Sequence, residues 1–294
     1  MPWIQIKINT SDAHAEPISE LLIELGAISI TFQDTFETPI FEPLPGEIRL
    51  WANTDVIGLF PIEIDTKRLR QLLSQSSYFL NEMNCKIERI EDKDWVHEGL
   101  DRLKPLKFGN RLWICPSWLE PPDNNAINVI LDPGLAFGTG MHPTTSLCLN
   151  WLDGLNLDGK TIIDYGCGSG ILAIAAIKLG AKKAIAVDID PQALEATLEN
   201  AQRNNVNEQI SAYLPSNLDN DRKVDLIVAN ILASPLISMA PHFAAYLKQG
   251  GLLALSGILD SQTNDVVAAY EHDFILDEIV NHDEWCRVSG IKRV

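Results

Sequence analysis

The chain has few cysteines and little positive charge. Its 294 residues hold five cysteines, at positions 85, 115, 148, 167 and 286, with no CxxC pair and no Cys/His cluster at metal-ligand spacing. That excludes a disulfide scaffold, gives no reason to expect a metal, and suits reduced thiols in the cytoplasm. Basic charge is scarce: 23 Lys and Arg stand against 40 Asp and Glu, a formal net charge of −17. The deficit is spread along the chain, with 7 basic and 13 acidic side chains over 1–90, 5 and 7 over 91–131, and 11 and 20 over 132–294. No segment has the positive excess that phosphate-backbone binding needs, so direct sequence-specific nucleic-acid binding is not expected. An acidic surface attracts basic partners instead. Long apolar runs are missing too. The stretch 226–247 comes nearest, but Asn230, Pro235, Pro241 and His242 interrupt it, and it reads as a buried strand followed by a helix rather than a membrane span. The first residues alternate like a strand and contain no signal-peptide block. Internal repeats and low-complexity tracts are absent.

What is present is ample apolar material, 46% of the composition, in a length that fits two domains of ~100–200 residues each. Over 1–90 the pattern predicts strands at Trp3–Ile8, Ile28–Phe32, Ile48–Trp51 and Cys85–Ile90, with a helix over Glu16–Leu25 and another carrying Leu69, Leu72 and Leu73 on one face. A Pro/Gly-rich break occupies Pro39–Gly46. This β-α-β-β-α-β order predicts a small α+β, ferredoxin-like domain without a catalytic constellation of its own. Residues 91–131 read as a connector: a charged, mostly helical stretch to Leu103, then strands at Leu112–Cys115 and Val129–Leu131. Within 132–294, strands and helices alternate from residue 157 onward: strands Thr161–Asp164, Ala184–Asp188, Asp225–Ala229 and Leu252–Ser256, and helices Ile171–Leu179 and Pro191–Arg203. Such alternation implies an α/β, doubly wound, Rossmann-like sheet that takes ligands beyond the carboxyl ends of its strands.

Three motifs carry chemistry. Asp164-Tyr165-Gly166-Cys167-Gly168-Ser169-Gly170 lies between a strand and a helix, where glycines let a ligand approach the main chain. Asp188 closes the next strand, and its carboxylate can accept hydrogen bonds from both hydroxyls of a ribose. The second and third glycines are two residues apart, where a dinucleotide loop wants three. Asp164 beside the loop disfavours a pyrophosphate and tolerates a cationic sulfonium. An NAD-dependent oxidoreductase is therefore the weaker reading and an adenosyl-methionine site the stronger. Asn230, at the end of an apolar strand, either points into the crevice or caps the next helix. The third motif, Asp132 to Thr145, crowds three glycines beside Phe137 and His142. Thr144 or Thr145 could cap the helix that follows, and His142 reads as a hydrogen-bonded loop histidine more readily than as a general base.

DPGLAFGTGMHPTT (132–145), DYGCGSGILA (164–173), DIDPQA (188–193) and DLIVANILASPL (225–236) together resemble the PrmA family of ribosomal protein L11 methyltransferases. ITFQDT (30–35) and EDKDW (91–95) extend the resemblance over nearly the whole chain. It implies a seven-stranded methyltransferase fold behind an N-terminal substrate-recognition domain. It also implies S-adenosylmethionine contacts from Thr145, Gly166, Asp188 and Asn230, with the 132–145 loop folded over the cofactor. Gly168, in the same glycine loop, joins that cofactor-binding set. The implied reaction is N-methylation of lysine side chains and the N-terminal amine of L11, free or on the large subunit, to the trimethyl level. The catalytic residue expected for it is Asn230, as a carbonyl acceptor in a locally apolar pocket without a dedicated strong base. A non-catalytic adenosyl-ligand-binding module in ribosome assembly is the alternative from another class.

Overall fold

The computed structural model describes residues 2–36, 50–75, 85–90, 104–132, 142–219 and 221–294. The expected break at 39–46, the helical stretch 91–103 and positions 133–141 of the third motif lie outside the described residues. The chain divides into two compact units, Met1–Leu100 and Asp101–Val294.

In the first unit β1 (Trp3–Thr10), α1 (Asp12–Glu24), β2 (Ser29–Asp34), β3 (Thr54–Pro61), α2 (Thr66–Ser74) and β4 (Cys85–Ile90) follow one another. The four strands form an antiparallel sheet in the order β2-β3-β1-β4. Alternation along β1 turns Ile4, Ile6 and Ile8 to one face, where they meet Ala15, Ile18 and Leu22 of α1 and Leu69 and Leu73 of α2. Asp65 caps α2 by accepting the Lys67 and Arg68 N–H groups at 3.0 and 3.1 Å. Two expectations need correction. Leu72 is 39% exposed, because only residues four apart, Leu69 and Leu73, reach the sheet from so short a helix. Of the strand expected at Ile48–Trp51, positions 48 and 49 lie outside the described residues and Leu50 and Trp51 are in no strand; the strand that the structure describes here is Thr54–Pro61. Buried polar residues at its start, Thr54 and Asp55, and Gly58 in its middle disguise β3 as a loop, yet it pairs on both sides with β1 and β2.

The second unit opens with a three-stranded sheet of β5 (Leu106–Phe108), β6 (Leu112–Cys115) and β7 (Ile127–Ile130), followed by α3 (Pro143–Asp153). Then come β8 (Thr161–Tyr165), α4 (Ile171–Lys178), β9 (Lys183–Val187), α5 (Pro191–Arg203), β10 (Ile210–Tyr213), β11 (Val224–Asn230), α6 (Ala233–Tyr246) and β12 (Leu247–Leu259). The chain ends with α7 (Thr263–Tyr270), β13 (Phe274–Leu276), β14 (Val280–His282) and β15 (Trp285–Lys292). The main sheet runs β10-β9-β8-β11-β12-β15-β13, with β14 also paired to β15. Strands β8 to β12 are parallel, and β15 runs antiparallel beside β12. Both faces are covered. Leu226 and Val228 of β11 pack into one core, and Ile227 and Ala229 into the other, so the strand is apolar without alternation. The 226–247 stretch resolves into β11 and α6, and no helix among the described residues is long and apolar enough to cross a membrane.

Candidate active site

The chain leaves β8 outward to β9 and β10, then returns to place β11 on the other side of β8. A crevice opens outside the carboxyl ends of strands at such a reversal. From β8 the backbone turns through Gly166-Cys167-Gly168-Ser169-Gly170 into α4. Gly166 and Cys167 donate their N–H groups to the Val187 carbonyl at 2.7 and 3.1 Å, which ties the loop to the end of β9. Asp188 is the first residue past β9. Its Oδ2 accepts the Gly168 N–H at 2.9 Å and its Oδ1 the Asp190 N–H at 3.0 Å. Each oxygen keeps further acceptor capacity, so the backbone holds the carboxylate in a pose that can still take two hydroxyls.

Two glycines seat the residue after Asn230. Gly166 has φ +79°, and a Cβ there would lie 2.1 Å from Ile231 Cγ2. Gly257, with φ +83°, admits the Ile231 backbone from the other side, where a Cβ would meet its carbonyl oxygen at 2.4 Å. Any side chain at either position would push the end of β11 out of register with the loop. Asn230, the last residue of β11, donates from Nδ2 to Thr145 Oγ1 at 3.2 Å. Its Oδ1 takes no hydrogen bond among the described residues. The cap of α6 is Leu232, so the capping role open to Asn230 falls away.

Thr144 and Thr145 do not cap α3; they lie buried in its first turn, with Pro143 ahead of them. The cap is His142, whose Nδ1 lies 2.8 Å from the Thr144 hydroxyl and accepts the Thr144 N–H at 3.4 Å. Its ring meets Trp285 edge-on at 4.9 Å. Burial lowers its pKa below the ordinary imidazole range, which keeps it neutral near pH 7. Asp164 sits under the loop, 1% exposed; Oδ2 accepts the Ala173 N–H at 2.9 Å and Oδ1 has no hydrogen-bond partner among the described residues. Burial pushes its pKa up to about 7; the Ala173 hydrogen bond opposes the rise and the Asp188 charge adds to it.

The crevice so bounded has a volume of about 480 Å³, and Thr145, Gly166, Gly168, Asp188 and Asn230 all line it. Sequence reasoning did not single out Tyr165, Ile231, Leu232, Pro235 and Met239, which line it as well. Ile231 and Leu232 were traceable from their place directly after Asn230. Pro235 and Met239 come from α6, and nothing local marks which face of that helix turns to the ligand. Tyr165 spans the two groups, donating its hydroxyl to Met239 Sδ at 3.7 Å and meeting Phe243 edge-on at 5.1 Å. Among the described lining residues Asp188 carries the only charge, since burial pushes the Cys167 thiol up and keeps it protonated.

A carboxylate held at a strand end, an apolar wall and no cationic side chain among the described lining residues, set at the reversal of a doubly wound sheet, suit the methyltransferase class. The comparisons with known proteins agree. The chain belongs to the family described as ribosomal protein L11 methyltransferase (PrmA), which matches residues 2–293. It is 59% identical over 293 residues to the ribosomal protein L11 methyltransferases of Salmonella arizonae and Salmonella typhimurium, covering 100% of each chain in both cases. The crystal structure of the ribosomal protein L11 methylase of Lactobacillus delbrueckii subsp. bulgaricus is 36% identical with a TM-score of 0.60, covering 65% of this chain and 100% of its own.

Proposed function

We propose that this protein transfers methyl groups from S-adenosylmethionine to the amino groups of ribosomal protein L11, lysine side chains and N-terminal amine alike, to the trimethyl level, releasing S-adenosylhomocysteine. The observation that carries this reading is a single crevice lined by both Asp188 and Asn230 with no cationic side chain among its described residues. A pyrophosphate-bearing cofactor calls for positive counter-charge; a sulfonium needs none. The residues therefore fit the donor. Gly166 and Gly168 admit it against bare backbone, Asp188 accepts its ribose hydroxyls, and Thr145 and Asn230 bound its reactive end.

When bound, S-adenosylmethionine supplies a methyl group for in-line displacement by a neutral amine. A free lysine has a pKa of ~10.4, so neutralising it at pH 7 costs roughly 4–5 kcal/mol. The apolar wall of Ile231, Leu232, Pro235 and Met239 desolvates the ammonium and lowers that cost, its proton passing to water. In the first two transfers Asn230 Oδ1 accepts an N–H of the amine and aims the nitrogen lone pair; the dimethylated amine has no N–H left, and the apolar wall alone places it for the third. Positioning of this kind supplies much of the rate, and no dedicated strong base is required.

The strand order and β-α-β-β-α-β connectivity of the first unit support a ferredoxin-like, substrate-recognising domain over 1–90, with 91–131 as connector and lead-in and 132–294 as the catalytic domain. All described residues lining the crevice belong to the second unit, which leaves the first to grip the protein substrate. The seven strands on the continuous path of the main sheet support the seven-stranded methyltransferase fold. Five free cysteines, four of them buried, suit a cytoplasmic enzyme. Intact-mass spectrometry of L11 after incubation with the protein and S-adenosylmethionine tests the reading. Shifts in whole methyl units that require the donor are expected; an unchanged mass in the presence of demonstrated donor binding would remove L11 as the substrate.

A further inference from the structure

The inner face of α5 is polar where a helix against a sheet is ordinarily apolar. Thr197 is 0% exposed, Asn200 9%, and Asn204, just past the helix end, 3%. Buried polar groups cost free energy unless each finds a partner, and here each of the three bonds a backbone group of a segment leading to the crevice; Thr197 Oγ1 also lies 3.3 Å from Cys167 Sγ, and Asn204 Nδ2 also donates to the Asn200 carbonyl at 2.9 Å. The Thr197 hydroxyl donates to the Gly168 carbonyl at 3.0 Å, and Asn200 Nδ2 donates to the Ser169 carbonyl at 2.9 Å. Asn204 grips Ile130 at the end of β7, donating to its carbonyl at 2.7 Å and accepting its N–H at 2.8 Å. Arg203 joins the two ends. Its Nη1 donates to Asn200 Oδ1 at 3.2 Å and lies 3.1 Å from Asp132 Oδ2. Asp132 in turn accepts the Ser117 N–H and O–H at 2.7 and 2.8 Å.

We propose that Asn200 and Arg203 are positioning residues for the methyl-donor loop, acting through the chain Asp132–Arg203–Asn200–Ser169. The proposal rests on the reading of the crevice as a donor site. A loop of alternating glycines packs few side chains of its own, so the orientation of its peptide planes is set from outside. Asn200 holds the Ser169–Gly170 plane by its carbonyl, two peptide units beyond the Gly168 N–H that Asp188 accepts. The guanidinium on Asn200 Oδ1 polarises the amide and strengthens its Nδ2–H as a donor. Asp132 fixes the guanidinium in turn. Neither Asn200 nor Arg203 lines the crevice, so both act on the donor only through the loop.

The test is calorimetric titration of the full-length protein with S-adenosylmethionine alone, with melting temperatures measured alongside. Asn200→Asp sets an acceptor against the Ser169 carbonyl and is expected to weaken donor binding about tenfold or more. Arg203→Met removes the polarising charge and is expected to weaken it about threefold, leaving kcat at saturating donor within about twofold of wild type. The double variant Arg203→Met/Asp132→Asn should bind no more weakly than Arg203→Met, because both act along one chain. Glu199→Gln, exposed on the same helix, should bind like wild type. Folded Asn200→Asp and Arg203→Met with donor affinity unchanged would overturn the proposal, as would fully additive losses in the double variant. If Asn200→Asp fails to fold, the Arg203 and Asp132 variants decide. A wild-type protein that binds no donor at all would instead overturn the donor-site reading beneath it.

Discussion

Asp164 sits in the second unit's core at a cost that depends on pH. Asp164 is 1% exposed, one carboxyl oxygen is held by the Ala173 N–H, the other has no hydrogen-bond partner among the described residues, and burial raises its pKa from the ordinary 3.8 to about 7. Below pH ~4 both folded and unfolded chains carry the proton, and the site costs nothing. Between pH ~4 and ~7 the unfolded chain loses its proton while the folded chain keeps it, so stability falls as pH rises. At ~1.36 kcal/mol per pH unit the loss reaches about 4 kcal/mol near pH 7 and then levels off. Asp164→Asn keeps the acceptor for Ala173 and cannot ionise. It places an unpartnered amide N–H where the orphan oxygen lies, a penalty of ~1–3 kcal/mol that does not vary with pH. Urea unfolding of both proteins across about pH 4 to 8 isolates the varying part. The stability of the variant relative to wild type should rise by about 4 kcal/mol over that range and saturate above pH ~7. Parallel stability curves would refute the reasoning, because they would mean that Asp164 ionises in the folded protein as easily as in water.

Asn230→Ala removes an acceptor expected to meet the reacting amine; kcat should fall about tenfold to a hundredfold with donor affinity little changed, and methylation within a few-fold of wild type would dismiss this role. Gly166→Ala forces a residue with φ +79° and a Cβ 2.1 Å from Ile231 Cγ2. The left-handed conformation alone costs ~1–2 kcal/mol, so donor binding should drop below calorimetric detection while the circular dichroism of the protein is retained. In the first unit, Lys7 pairs with the buried Asp55 at 2.7 Å. Burial pushes the Asp55 carboxyl up, but hydrogen bonds from Lys7 and Asn9 and the ammonium charge outweigh it and hold its pKa below the ordinary range. Lys7→Met should therefore destabilise that unit by about 1–2 kcal/mol at neutral pH. The difference should fade as pH falls below ~4 and through the lowered Asp55 pKa, where the wild-type carboxyl takes up its proton and the pairing is lost; a loss that persisted in acid would point to packing rather than charge.

The alternation of strand and helix from Thr161 onward, the glycine loop, and the placing of Asp188 and Asn230 at strand ends were all legible in the residues. Each rests on local rules: a buried parallel strand must be apolar on both faces, and a ligand-binding turn needs residues without Cβ. The same rules failed at β3, where two buried polar residues and Gly58 hide a central strand whose identity depends on pairing with β1 and β2. They failed again at α3, whose cap is His142 where Thr144 or Thr145 was the local expectation. The residues alone settle the chemistry on offer: a carboxylate and an amide at strand ends, and no cationic motif for phosphates. Tertiary structure alone decided that Gly166 and Gly257 clasp Ile231, that Met239 reaches the crevice from α6, and that Arg203 reaches Asp132. Those contacts join residues 26 to 74 positions apart, and only the sheet's strand order, which no local pattern encodes, brings them together.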